Sequence, residues 1–197
     1  MLTRRTFIKS TLAANIALAT PASLALTAIK STLAEQALLI FADETSPNAG
    51  LFAQQFSKSQ AGINLDIGLH FDTFNSFCND NSDGWVSGIT RDSDFFVLQQ
   101  LAAQQGYYTA YSAAHTAFAS TIKHRVTSNT DKAPLVAQAL ANAGAKWPIW
   151  LAENLAILQN STVANSTANS QTQSLPAANS DNILVSWLFV PNNSTSI

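Results

Sequence analysis

Cysteine and methionine are almost missing from this chain of 197 residues, where Cys78 and Met1 stand alone. One thiol excludes an intramolecular disulfide, a cysteine-ligated iron–sulfur cluster and the C-x-x-C-H attachment of haem. A methionine confined to position 1 excludes a Met-bearing copper site. Charge is sparse too, at 11% of residues. No G-x-G-x-x-G follows the first apolar run and no G-x-x-x-x-G-K-[ST] occurs anywhere, so neither dinucleotide nor nucleoside-triphosphate use is supported. G-x-S-x-G is also absent, which leaves no strained elbow to present a nucleophilic serine.

What is present begins at the N-terminus. Thr3-Arg4-Arg5-Thr6-Phe7-Ile8-Lys9 is followed by an uncharged run over residues 11–29. A basic head, a moderately apolar middle and a small-residue exit are the parts of a secretory leader. The run is long enough to span a bilayer. It is nevertheless weakly apolar, with Thr11, Asn15, Thr20, Pro21, Ser23 and Thr27 among its alanines. That favours a cleaved leader over a stable membrane anchor. Small residues suited to a peptidase stand at Thr32 and Ala34, and also at Ser23 and Ala25. Cleavage after Ala34 is expected, because the first strand starts almost at once beyond it.

These residues resemble the twin-arginine export signal, Ser/Thr-Arg-Arg-x-Phe-Leu-Lys. Thr3, Arg4, Arg5, Phe7 and Lys9 match, and Ile8 replaces Leu. The resemblance covers only residues 1–34. It implies recognition by the twin-arginine translocase and export of an already folded protein to the periplasm. Paired planar guanidinium groups suit an acidic receptor, since each can hold a carboxylate bidentately.

Removing residues 1–34 leaves residues 35–197, enough for one domain with a real core. The leader holds four basic residues and no acidic one, so the remainder carries six basic against twelve acidic residues, a net of −6. Nucleic-acid binding needs the opposite balance, and anionic lipid is disfavoured for the same reason. Nine of the acidic residues fall within residues 35–94, alongside only Lys58 and Arg91. A solvated face is expected to account for most of that excess, with a surface for a cation or a basic partner as the alternative.

The apolar run Ala37–Ala42 predicts a buried strand, and Ser46-Pro47 an N-cap with Pro at the first helical position. Ala49, Phe52, Ala53 and Phe56 then fall on one helical face. Leu65–His70 alternates and predicts a second strand, Phe71–Cys78 a short helix, and Asn79–Gly84 a turn. The turn has part of a calcium-loop pattern but lacks its bidentate Glu, with Thr90 in that place. Trp85–Ile89 predicts a third strand. A helix capped by Asp92 or Ser93 follows, with Val97, Leu98, Leu101 and Ala102 inward and Gly106 as its stop. Tyr107–Ser112 predicts a fourth strand.

Residues 113–130 show no clear period. Asp131 is expected to cap a helix ended by Gly144, with a second helix over Trp147–Gln159 making a helical hairpin. Residues 160–181, rich in Asn, Ser and Thr, predict a mobile loop. Ile183–Val190 predicts a central strand. The sum is a single three-layer α/β domain with a mostly parallel sheet of about five strands.

In such a sheet ligands bind beyond the carboxyl ends of the strands. Those ends carry Asp43 and Glu44, then His70 and Asp72, then Thr90, Arg91 and Ser93. His70, Asp72 and Asp43 are the candidate catalytic groups; Glu44, Thr90, Arg91 and Ser93 are candidate binding groups. His70, His115 and His124 have no metal-motif spacing and are expected to be satisfied or exposed. Cys78 in its aromatic segment reads as a core residue rather than a thiolate. The tryptophans and the tyrosines at 107, 108 and 111 read as core and rim.

The function expected is that of a soluble periplasmic binding or accessory protein. It would serve or accompany a cofactor-bearing redox enzyme as its periplasmic protein partner, with no cofactor of its own identified. The alternative is a small hydrolase or isomerase with His70 as acid/base, oriented by Asp43 or Asp72.

Overall fold

The structure, a computed structural model, describes residues 37–56, 63–64, 67–118, 120–159, 164–172 and 183–192. The leader expected over residues 1–34 lies outside them. Among the described residues no helix is long and apolar enough to cross a membrane.

The chain opens with strand β1 (Leu38–Ala42), helix α1 (Pro47–Ala53) with a 3-10 turn at Gln54–Phe56, and strand β2 (Ile63–Asn64). Helix α2 (Ile67–Asp80), strand β3 (Trp85–Arg91) and helix α3 (Asp92–Gln104) follow. Then come strands β4 (Tyr107–Phe118) and β5 (Thr121–Ser128), and helices α4 (Lys132–Ala143), α5 (Trp147–Glu153) and α6 (Leu155–Leu158). Strands β6 (Ser166–Thr172) and β7 (Ile183–Pro191) end it. Local chemistry explains several boundaries. Ser46 Oγ accepts the Ala49 N–H while Pro47 opens α1. Gly106, at φ 77°, turns the chain after α3 in a conformation that other residues resist.

Among the described residues, seven strands join one sheet, in the order β2-β1-β3-β7-β4-β5-β6. Only β1–β2 and β1–β3 are parallel pairs; β3–β7, β7–β4, β4–β5 and β5–β6 are antiparallel. The expected mostly parallel sheet of about five strands is therefore wrong: the sheet is mixed and mainly antiparallel. The error has a physical origin. Helix α3 does carry the chain from β3 to β4, but the two strands are not neighbours. The apolar run at the C-terminal end enters between them as β7, buried from Leu184 to Val190 and antiparallel to both. Alternation of strands and helices says nothing about such a late insertion.

Two further expectations are corrected and one gap is filled. Ile67–His70, expected in a strand beginning at Leu65, open α2 instead, and β2 is Ile63–Asn64; residues 65–66 lie outside the described residues. The stretch after Ser112, to which the sequence assigned no element, is strand: β4 continues to Phe118 and pairs antiparallel with β5. Part of the expected loop is an ordered edge strand, β6, paired with β5 from Ser128↔Ser166 to Ile122↔Thr172; residues 160–163 and 173–182 lie outside the described residues.

Two cores lie on opposite faces. On one, α1, α4, α5 and α6 pack Phe52, Leu140, Trp147 and Leu155 against Ile40, Ile89, Tyr111, Val126 and Leu188. On the other, α2 and α3 pack Phe74, Phe77, Leu98 and Ala102 against Phe41, Val86, Trp187 and Phe189. The α3 face differs from expectation, since Leu98 and Ala102 are buried whereas Val97 is exposed. The second core stops at β7 and the first residues of β4. Beyond it, no described helix packs on that face of β4, β5 and β6, so among the described residues the sheet is three-layered in one half and two-layered in the other.

A bulge sets which side chains the open half displays. The β4–β7 register shifts at Thr109/Tyr111, with Ala110 as the extra residue. Tyr107 therefore packs into the α2–α3 core, whereas Tyr111 and Ala113 face α4 and α5. His115 follows them inward, and Ser112, Ala114 and Thr116 are left on the open side.

Candidate functional site

At the carboxyl ends of β1 and β3 the structure brings together only part of the expected cleft. Asp43 Oδ1 accepts hydrogen bonds from the Thr45 N–H (2.8 Å) and hydroxyl (2.6 Å), while Arg91 Nε donates to Asp43 Oδ2 at 2.9 Å. Arg91 Nη2 also donates to Thr45 Oγ1 at 3.0 Å. Burial works to raise the Asp43 carboxyl, but the Thr45 donors and the Arg91 guanidinium hold it below the usual range. This is a closed clasp joining two strand ends, with its acceptors already engaged.

The other candidates are dispersed. Glu44 and Ser93 are exposed, and Ser93 Oγ reaches only Asp94, at 3.5 Å. Thr90 is fully buried, and its hydroxyl accepts the Trp187 indole N–H at 3.1 Å. His70 falls in the first turn of α2 and Asp72 lies exposed further along the same helix, rather than after a strand. Neither Asp92 nor Ser93 caps α3, whose N-cap is Arg91 without a side-chain bond. Asp131 likewise makes no capping bond to α4; Asn129 Oδ1 does so by accepting the Lys132 N–H. Cys78 is buried, and burial pushes its thiol up to about 11, so it stays protonated at neutral pH. Among the described residues no group of three or more His, Cys, Asp or Glu could hold a metal ion.

Asp43→Asn is expected to cost about 1 to 2 kcal/mol, because a charge-assisted bond to Arg91 weakens while Thr45 keeps an acceptor. The pH effect has a definite sign. A carboxyl lowered by folding stabilises the protein above the unfolded value, and that gain is lost as pH falls through the lower folded value. Chemical denaturation of parent and variant should therefore converge at strongly acidic pH.

Residues beyond the strand ends make a more extensive polar structure. His115 and His124 sit opposite each other on β4 and β5, with their Nδ1 atoms 2.7 Å apart. His115 Nε2 lies 2.7 Å from Ser186 Oγ, which is 3.0 Å from the Tyr111 hydroxyl. At the other end His124 Nε2 lies 2.8 Å from Thr172 Oγ1. Trp147 stacks on His115, ring centres 3.9 Å apart, and its own Nε1 is buried without a partner. Burial, then the neighbouring His124, drives His115 well below its usual value; burial alone lowers His124 to about 4. Both rings are therefore neutral at pH 7.

The Ser186–His115–His124 order has the distances of a nucleophile, its base and an orienting group. It does not have the surroundings. Ser186 is wholly buried in mid-strand, its residue paired with Ile89 of β3 and Ala113 of β4. An oxyanion needs free donors beside the nucleophile, and this backbone is in sheet pairing on both sides. The network is a satisfied core structure that ties β4, β5, β6 and β7 together under α5.

The open side of β4, β5 and β6 is the accessible feature. Register places Ala114, Arg125 and Asn169 in one row and Thr116, Lys123 and Gln171 in the next, with Ile183 beside Thr116. They line a cleft of about 580 Å³, within the range of small-ligand sites. Lys123, Arg125, Asn169 and Gln171 are exposed, Ala114 is half-buried, and Ile183 is 45% exposed. Among the described residues the ion pair is Arg91–Asp43, so neither cation of this face is neutralised by one of them.

Sequence reading missed this site. Its signal was present as strict alternation in Thr121–Ser128, where Ile122, His124, Val126 and Ser128 are buried and Lys123 and Arg125 are exposed. What the fold and the cleft define is a mixed α/β protein with an exposed polar cleft on β4, β5 and β6 among the described residues. The chain matches no family model, no curated protein and no solved structure.

Proposed function

We propose that the protein is an exported binding or accessory protein of the periplasm, soluble once its leader is removed, with the open side of β4, β5 and β6 as its binding surface. The observation that carries the reading is the sheet half that no described helix covers, where a cleft is lined by polar and cationic side chains. A sheet normally buries both faces or exposes one that is uniformly polar. Here the exposed side mixes cations and amides with Ile183, which suits recognition rather than solvation alone. The twin-arginine resemblance of Thr3–Lys9 supports export in the folded state. An accessory role beside a cofactor-bearing partner accords with both.

The hydrolase or isomerase alternative draws on Asp43 or Asp72 to orient His70. Asp72 stands two residues from His70 on one helix, a spacing that does not bring side chains together. Asp43 is already held by Thr45 and Arg91, which favours the binding reading. Export is tested by replacing Arg4 and Arg5 together with lysine and fractionating the cells. The parent should reach the periplasm shortened by its leader, and the variant should remain inside. Equal periplasmic levels of the two would overturn the route and with it the location.

A further inference from the structure

Resting on that binding surface, we propose that the cleft over Ala114 takes an amphiphilic organic anion, a carboxylate joined to an apolar body. Charge is the first argument. Lys123 and Arg125 are alternate residues of one strand on the same side, about 7 Å apart along it. Like charges so placed repel, and no described carboxylate pairs with either. An incoming anion relieves that repulsion. A carboxylate suits Arg125 in particular, because the planar guanidinium can hold both oxygens.

Shape is the second argument. Arg125 stands between Ala114 on β4 and Asn169 on β6. The small Ala114 side chain leaves a depression on one side of the guanidinium, and the Asn169 amide offers a further donor on the other. The floor continues to Ile183, whose exposed side chain gains from covering by an apolar group. Inorganic phosphate would leave that apolar floor wet. An uncharged apolar molecule would leave the two cations unpaired. Long polyanions are opposed by the net charge of −6 over residues 35–197, whereas a small monoanion meets chiefly the local cations.

The test uses the chain without its leader, in isothermal titration with four probes: octanoate, benzoate, octanamide and inorganic phosphate. A carboxylate probe is expected to bind saturably and more weakly as salt rises. Octanamide should bind at least about tenfold more weakly than octanoate, the loss of one charge-assisted contact. Phosphate should show no saturable binding. Arg125→Ala should weaken carboxylate binding about ten- to a hundredfold. Asn169→Glu, an exposed edge-strand change that supplies Arg125 with a fixed carboxylate, should do the same while circular dichroism stays unchanged.

Equal affinity for octanoate and octanamide would overturn the anion class and leave the cleft as a binding surface for neutral ligands. Carboxylate binding indifferent to both Arg125→Ala and Asn169→Glu would overturn the assignment to this cleft. No binding of either carboxylate at millimolar concentration would overturn the proposal outright. Export is read in a separate experiment, so its failure is distinguishable from each of these.

Discussion

Gly88→Ala is expected to abolish stable folding, or to cost at least about 3 to 5 kcal/mol where a folded fraction survives. Gly88 pairs with Phe41 of β1 on one side and Trp187 of β7 on the other, at the middle of the sheet. A Cβ there would meet the Phe41 carbonyl oxygen and come within 2.8 Å of Trp187 Cζ2. The carbonyl is backbone in a parallel pair and cannot swing away. The indole is no freer, because it stacks on Phe189 with ring centres 4.4 Å apart and donates its N–H to Thr90. Glycine at 88 is therefore what lets the tryptophan lie across β3 and reach a hydroxyl two residues along. Urea denaturation followed by circular dichroism reads the effect, and a loss below about 1 kcal/mol would show that the sheet centre shifts more easily than its packing implies.

Thr90 shows why sequence position misled here. It stands at the end of a strand beside Arg91 and Ser93, where a ligand group belongs in a parallel α/β sheet. Its partner, Trp187, is 97 residues away. Nothing local reveals that the indole arrives, because β7 is placed by a late insertion between β3 and β4 rather than by any neighbouring helix. The first part of the chain was more legible, since Ser46, Pro47, Ala49 and Phe52 act through contacts within a turn or two, and β1 and β3 do pair in parallel. Periodicity still misplaced the second strand, since Ile67–His70 open α2, and it could not show that a distant strand would come between β3 and β4.

The open face of β4, β5 and β6 illustrates a different limit. Alternation in Thr121–Ser128 marks one side of β5 as polar, but a polar strand face is ordinary. Its meaning depends on whether a helix covers it, and that is decided by where α2 and α3 end relative to β4. The bulge at Ala110 matters as much: a one-residue change in register reverses every later side chain of β4. Without it His115 would point into the open cleft and Ala114 into the core. Composition around Tyr107–Phe118 contains no Gly or Asn to announce the bulge. The edge strand β6 is harder still to read, because Ser, Thr and Asn at 166–172 favour turns and owe their strand state to pairing with β5.

Acid is expected to unfold the protein through its buried histidine pair, and the expected loss is large. Above about pH 6.5 both rings are neutral in the folded and unfolded chain, so their network stabilises fully. As pH falls below that value the unfolded chain takes up protons on His115 and His124, whereas the folded chain resists, His124 until about 4 and His115 by burial and its neighbour well below the usual value. The unfolded state then binds more protons, and stability must fall with pH by up to about 1.4 kcal/mol per unit for each ring. The charged and polar groups facing the pair offer no relief. Tyr111, Ser186 and Thr172 are neutral, α4 turns Ala133, Val136, Ala137 and Leu140 inward, and α5 presents Trp147 and Leu151. Lys123 and Arg125 flank His124 along β5 and oppose a further positive charge. A second proton on the pair would also set two like charges 2.7 Å apart beneath Trp147. His124→Gln keeps a polar group beside Thr172 and removes one titrating ring, so it should lower stability at pH 7 by about 1 to 3 kcal/mol yet roughly halve the slope between pH 4 and 6.5. The two changes have opposite signs at low pH, which separates titration from mere loss of packing. An unchanged slope in the variant would overturn the assignment to His124, because a lowered carboxyl such as Asp43 loses its contribution only below its unfolded value near 3.8, outside this window.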